Sequence, residues 1–330
     1  MPDPKNLVYE PDPRGVLSAR QAVCAYYAQK GAPVFPDQVF LTSGTSEAYQ
    51  FLFRLLANPG DEVCAAEPSY PLFVTLSELN DVTLKKFGLI YENGWRIDFS
   101  SLNKSLSDKT RAVLVVHPNN PTGNFVRTDA MKKLDELCAQ KRCALIADEV
   151  FFDFAWDPGS QHETFAANRR ALTFTVSGIS KILGLPQMKL GWIVVSGPED
   201  RRREAMRRLE VIADATLSVN TPSQNALPAW LSLRGRVRDE ILERVRENFS
   251  YLNQALDKKR VRAPRSEGGW VAVLKTDGPK NDEETALYLL DKKNVLLHPG
   301  YFFDFPSEDY LVVSLLPETS LFQEAVDFIV

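Results

Sequence analysis

Between Gln38 and Val195, short β-rich runs alternate with stretches of helical spacing. QVFLT (38–42) predicts a strand. After the turn SGTSEA, Ala48, Phe51, Leu52, Leu55 and Leu56 fall on one helical face, and Asn58-Pro59-Gly60 ends the helix. DEVCAA (61–66) predicts the next strand. RAVLVV (111–116) and CALIAD (143–148) are almost continuously apolar, as parallel strands covered on both faces are. Between them, Thr128 is placed to cap a helix carrying Met131, Leu134, Leu137 and Cys138 on one face. LTFTVS (172–177) and KLGWIVV (189–195) complete the set. Strands separated by helices predict an α/β domain with a mainly parallel sheet, whose ligands bind outside the carboxyl ends of the strands.

Beyond Ser196 the pattern changes. Two charged helical segments, near 199–213 and 236–258, lead to APRSEGGW, where a new unit starts. WVAVLK (270–275), an amphipathic stretch near 282–292, NVLLHPG (294–300) and YLVVSLL (310–316) predict a smaller α+β domain. The expected division is a large domain over residues 1–240 and a small one over 241–330. At the other end, the first helical pattern begins near Val16, after the Pro-rich stretch LVYEPDPRG. The expectation is an N-terminal segment that is short, with no element before it to close a cleft.

Composition narrows the classes. Of 330 residues, 44% are hydrophobic and 25% charged, which excludes a disordered or low-complexity chain. Lys and Arg number 39 against 43 Asp and Glu, an even balance that gives nucleic acid or an anionic membrane no electrostatic hold. No apolar run reaches the roughly 20 residues of a membrane span, and MPDPKNLVYE lacks the parts of a signal peptide. Cys24, Cys64, Cys138 and Cys143 have no zinc or disulfide spacing, so a reduced, cytoplasmic protein without a metal is expected.

Four features fall at predicted strand ends. Ser43-Gly44-Thr45-Ser46 opens a helix, either as a phosphate cradle of N–H groups and hydroxyls or as an ordinary cap. His117 to Gly123 is a double-proline turn that presents an asparagine, or simply a well-made turn. Asp148 ends a buried strand, where a carboxylate is costly unless it meets a cation or caps the next segment. Lys181 follows the glycine turn Ser177-Gly178-Ile179-Ser180, where it is either a desolvated nucleophile or a solvated lysine. Together they match the needs of pyridoxal 5'-phosphate: an amine for its aldehyde, an acid for its ring nitrogen and donors for its phosphate.

On these residues the sequence resembles the class I/II aminotransferases, fold-type I enzymes that use pyridoxal phosphate. The ordered motifs are GTSEA (44–48), PSY (68–70), NNPTG (119–123), DEV (148–150), SGISK (177–181), LPQMKLG (185–191), EGGW (267–270) and HPG (298–300). The resemblance implies a large domain with a seven-stranded, mainly parallel sheet flanked by helices, and a smaller α+β C-terminal domain. It implies ping-pong transfer of an amino group between an amino acid and a 2-oxo acid, through aldimine and ketimine. Lys181 then carries the cofactor and moves the proton, and Asp148 pairs with the pyridinium nitrogen. Asn120 donates to the phenolic oxygen, Tyr70 stacks on the ring, and Gly44, Thr45, Ser46, Ser180 and Lys189 surround the phosphate. Tyr9 falls where the family sends a tyrosine to the neighbouring subunit's phosphate, which implies a homodimer. Trp270, with Asn120, is the expected substrate contact, although Trp270, Phe302 and Phe303 fit core packing equally well.

The sequence also departs from the family. Phe151 stands where a tyrosine is common, Lys189 replaces an arginine fork by a point charge, and Gly178 replaces a phosphate-binding serine for which Ser177 is a possible substitute. Val312 stands where an arginine usually grips the substrate α-carboxylate. Either another cation serves, with Arg262 and Arg265 as candidates beside a plain basic turn, or the substrate lacks that group. Two alternatives follow: a lyase on the same fold, by C–S β-elimination or decarboxylation, or a non-catalytic ligand-binding module.

Overall fold

The computed structural model describes residues 4–157, 159–217, 219–256 and 261–329. Helix α1 (Leu17–Ala28) precedes strand β1 (Val39–Thr42), helix α2 (Thr45–Leu56) and strand β2 (Glu62–Glu67). Next come α3 (Leu72–Glu78), β3 (Thr83–Tyr91), β4 (Trp95–Ile97), α4 (Phe99–Ser105) and β5 (Thr110–Val116). Then follow α5 (Thr128–Lys141), β6 (Ala144–Asp148), β7 (Thr173–Gly178), α6 (Ile179–Ile182) and β8 (Gly191–Ser196). These strands form one sheet in the order β1-β8-β7-β6-β5-β2-β3-β4. β2, β3, β5, β6 and β7 are mutually parallel, and β8 runs against both β7 and β1. β1 therefore points the same way as the parallel set, and the carboxyl ends of β1, β2, β5, β6 and β7 share one edge. Short β4 adds an eighth strand to the seven expected by pairing antiparallel with the end of β3.

The central strands are buried on both faces because helices cover both. On one face α2 and α7 (Glu199–Thr216) pack Phe51, Leu52 and Leu209 against Leu114, Ile146 and Ile193. On the other, α5 sets Met131, Leu134 and Cys138 against Val113, Leu145 and Ala147. At roughly 25 cal/mol per Å² of apolar surface buried, such two-sided cover is the main stabilising term of the sheet. The expected cap at Thr128 is not formed: Arg127 is the N-cap without a side-chain bond, and the Thr128 hydroxyl donates to Glu163 at 3.0 Å.

Helices α8 (Thr221–Ser232) and α9 (Arg234–Leu256) lead to the second sheet. Its strands are β9 (Val261–Arg262), β10 (Val271–Thr276), β11 (His298–Pro299) and β12 (Tyr310–Ser314), ordered β11-β12-β10-β9. Helices α10 (Asp282–Lys293) and α11 (Thr319–Ile329) pack on it with α9. The expected boundary at 240/241 lies inside the continuous helix α9. Phe151, Phe154 and Trp156, just beyond β6, enter this second core beside Leu242, Leu274 and Leu315. The segment that follows Asp148 is thus anchored between the two units. Among the described residues, no helix is long and apolar enough to cross a membrane.

Candidate active site

A cleft of about 560 Å³ opens at the shared strand edge, within the size range of small-molecule sites. Its lining includes Gly44, Thr45, Ser46, Tyr70, Asn120, Asp148, Phe151, Ser180, Lys181 and Lys189. Ten of the residues expected from sequence thus meet in one place. Trp270 stands beside it, edge-on to Phe151 (5.4 Å between ring centres) and with the Lys181 ammonium 5.5 Å from its ring. Tyr9 is not in the cleft: it is 84% exposed. Among described residues 4–15, none lines the cleft, and Asn6 instead receives a hydrogen bond from Asn225 on α8.

One end of the cleft is built by the β1–α2 turn. Gly44 has φ +144°, a conformation that favours glycine, and α2 starts with no side-chain cap, which leaves its first N–H groups for a ligand. Gly191, at the start of β8, packs its α-carbon side on Gly44: a Cβ there would lie 3.1 Å from the Gly44 α-carbon. Gly178 meets the same crowding, since its Cβ would sit 2.9 Å from the Gly191 α-carbon and the Leu190 carbonyl. A serine at 178 has no room here. Ser177 does not replace it, because it is fully buried and donates to the Glu149 carbonyl at 3.2 Å. The hydroxyl residues lining this end are Ser43, Thr45, Ser46 and Ser180, with Lys189 as the cation.

Two turns carry Tyr70 and Asn120, and buried Asn119 ties them together. Its amide donates to the Pro68 carbonyl (3.0 Å) and to Thr122 (2.8 Å), while its side-chain oxygen accepts from Ser69 (3.4 Å). Gly123 closes the turn at φ +71°, with the Gly268 carbonyl 2.6 Å from where a Cβ would sit. The turn is held from behind by His117, whose Nδ1 accepts from the Val126 N–H (2.9 Å), so that Nε2 carries the proton toward the Glu163 carbonyl (3.0 Å). Burial lowers the His117 pKa to about 3, so the ring is a neutral brace.

Asp148 is 4% exposed at the end of β6. Its Oδ1 accepts from the Val150 N–H at 3.0 Å and its Oδ2 from the Tyr49 hydroxyl at 2.5 Å. Burial raises its pKa to about 6, against the opposing pull of Tyr49, Val150 and Lys181. Burial lowers the Lys181 pKa, with Asp148 acting the other way. Glu149 faces away from the cleft: its carboxylate accepts from the Thr164 hydroxyl and the Phe165 N–H, and burial lifts its pKa to about 7.

Val312 is buried in β12 among Trp95, Val273, Phe305 and Tyr310. Arg262 pairs with Asp277 at 3.3 Å, and Arg265 lies in a different groove with Trp156 and Arg246. Neither sequence-derived replacement cation reaches the cleft. Phe302 and Phe303 do not line it either; they pack around His298.

This arrangement can be set beside known proteins. The family model for aminotransferases of class I and II matches residues 5–329. The chain belongs to that family. Glutamate-pyruvate aminotransferase AlaA of Haemophilus influenzae is 26% identical over 326 residues, covering 96% of this chain and 80% of that protein. Alanine aminotransferase of Mycobacterium tuberculosis is 27% identical, covering 93% of this chain and 73% of that one. Among solved structures, alanine aminotransferase from Pyrococcus furiosus superposes with a TM-score of 0.91 at 26% identity, over 97% of this chain and 82% of that chain. The chain is therefore an aminotransferase of fold type I, a family whose cofactor is pyridoxal phosphate. The cleft fits that cofactor. An uncapped helix start with four hydroxyl residues and a lysine suits a phosphate, and the same space holds a desolvated amine and a buried carboxylate.

Proposed function

We propose that this aminotransferase works through Lys181 and Asp148, transferring the amino group of a neutral amino acid to a 2-oxo acid. One observation carries the reading: a lysine with a lowered pKa and a buried carboxylate line the same cleft as an uncapped helix start. When bound, pyridoxal phosphate supplies an aldehyde that links to amines and a ring that accepts the electrons of a broken bond. Lys181 Nζ, less basic through burial, would hold that aldehyde and, when freed from it, would serve as the base and acid for the substrate's α-proton. Asp148 holds a proton at the ring nitrogen. The first N–H groups of α2, with Thr45, Ser46, Ser180 and Lys189, hold the phosphate. Tyr70 would cover one face of the ring, and Asn120 would donate to its phenolic oxygen. Phe151 brings no hydroxyl to that oxygen, only an apolar wall 5.8 Å from the Lys181 ammonium.

The alanine and glutamate–pyruvate aminotransferases among the relatives make alanine the first donor to test. Trp270, beside Phe151 and Lys181, is the proposed substrate wall. With Val312 in the core, we assign no residue of this subunit to the α-carboxylate. We further propose a cytoplasmic homodimer with the 1–240 and 241–330 division, in which exposed Tyr9 reaches the neighbouring subunit's phosphate site. The test is absorbance of the protein with added pyridoxal phosphate, before and after alanine. Transamination predicts a cofactor band that Lys181→Ala abolishes and alanine converts, with pyruvate formed in proportion to the cofactor. Catalytic pyruvate and ammonia without an acceptor would overturn it in favour of elimination.

A further inference from the structure

Tyr49 lies on α2, four residues beyond Thr45, so one helix serves both ends of the cleft, with a rise of about 6 Å between the two positions. Its ring is fully enclosed, edge-on to Phe73 (5.2 Å, 71°) and tilted against Phe53 (6.3 Å). The hydroxyl donates to Asp148 Oδ2 at 2.5 Å, while the Val150 N–H donates to Oδ1 at 3.0 Å. Two donors from two different elements therefore fix the plane of the carboxylate. A carboxylate has about four acceptor positions, and those left over serve the cleft that Asp148 lines.

From this geometry we propose that Tyr49 is a positioning residue for transamination: its hydroxyl keeps Asp148 ionised and aimed, so that the shared proton stays on the cofactor's ring nitrogen. The proposal rests on the reading of Asp148 given above. A buried carboxylate that loses a charge-assisted hydrogen bond becomes more basic, and a more basic Asp148 draws the proton off the ring.

The other groups around Asp148 do not supply the same effect. Lys181 favours its ionised form, but the lysine amine is committed to the cofactor's aldehyde. Glu149 is turned to Thr164 and Phe165, and its charge acts against a second anion. Tyr70 and Tyr27 sense the Asp148 charge but donate no hydrogen bond to it. Burial and the Asp148 charge both hold the Tyr49 phenol protonated, so it remains a donor at any working pH.

The experiment uses holoenzyme reconstituted with pyridoxal phosphate carrying ¹⁵N in its ring, in the parent protein and in Tyr49→Phe. Nitrogen NMR reads ring protonation directly, and borohydride trapping with mass spectrometry reads the Lys181 link. The expected result is a ring nitrogen protonated across neutral pH in the parent and, in the variant at the same pH, a nitrogen signal shifted toward the unprotonated ring, the proton having moved onto Asp148. With it, kcat falls about 10- to 100-fold, as for loss of one hydrogen bond to a charged group, while KM stays within about twofold. Should Tyr49→Phe not fold, 3-fluorotyrosine at position 49 keeps the shape with a more acidic hydroxyl and is expected to shift the nitrogen signal the other way, further toward the protonated ring. A ring signal unchanged in either variant, with the Lys181 link intact, overturns the role of Tyr49 alone. A parent protein with no trapped Lys181 overturns the reading of the site, and this proposal with it.

Discussion

Asp148 makes the folded protein work against itself, and the cost can be measured without any cofactor. Its carboxyl is raised from the usual 3.8 to about 6 by burial, and unfolding returns it to 3.8. Between those values the folded chain keeps a proton that the unfolded chain has released. Stability therefore falls as pH rises through this window, and the charged carboxylate costs about 3 kcal/mol at pH 7, at 1.36 kcal/mol per pH unit. Asp148→Asn keeps the shape and stays neutral. Its oxygen can still accept from the Val150 N–H, and its amide can donate to the Tyr49 oxygen once that hydroxyl rotates. The expectation is that the cofactor-free variant and parent are similar near pH 4, and that the variant's advantage grows by about 2 kcal/mol between about pH 4.5 and about pH 7.5. Urea unfolding followed by tryptophan fluorescence at several pH values measures this directly. His117, lowered to about 3, and Glu149, raised to about 7, add slopes of their own, but both proteins carry them and the difference removes them to first order. A difference that stays flat with pH, or that favours the parent at neutral pH, would refute the reasoning. Pyridoxal phosphate should reverse the ranking, since a ligand stabilises the form that binds it more tightly.

Three further outcomes follow from the same geometry. Borohydride reduction of the loaded protein should add the cofactor's mass at Lys181, and Lys181→Ala should lose both that adduct and amino transfer, while still binding cofactor through the phosphate end. Gly178→Ser should lower stability by about 1–3 kcal/mol in thermal melts, because its Cβ would meet the Gly191 α-carbon and the Leu190 carbonyl at 2.9 Å, backbone that cannot swing aside. Sedimentation should give a dimer, and Tyr9→Phe should weaken cofactor retention about tenfold, a result that a solvated Tyr9 would not produce.

The strand ends were readable because burial on both faces leaves a continuous apolar run, and a polar residue that breaks it stands out: Asp148 after CALIA, Ser43 after VFLT. Strand β3 is not legible in the sequence. It carries Lys85 and Lys86 in the middle and a largely half-exposed face, so it lacks the run that marked its neighbours. Helix α8 was hidden for another reason. Pro222 and Pro228 break the sequence pattern, although the first sits in the opening turn, where a missing N–H costs nothing. NVLLHPG reads as a strand by composition, yet only His298–Pro299 pair with β12, the preceding residues being taken up in packing Val295 and Leu297 beneath α10.

The limits of motif reading are sharpest inside the cleft. Asn119 and Asn120 are adjacent and identical in type, and only the fold sends one inward to brace two turns and the other to the lining. Tyr49 is harder still. It falls on the helical face of Ala48, Phe51 and Leu52, where an aromatic residue reads as core, and its ring is indeed core. What sets it apart is one hydroxyl at its tip, 99 residues in sequence from the carboxylate it meets. Gly178 shows the same limit from the opposite side. Against the family pattern it counts as a lost phosphate donor, but its neighbour across the strand pair is Gly191, and the two backbones approach too closely for any side chain. The substitution is a packing solution shared by two strands, and on the proposed reading it leaves the phosphate to the helix start, Ser180 and Lys189. A chemical departure at one position is thus interpretable only with the residue opposite it, which sequence order does not reveal.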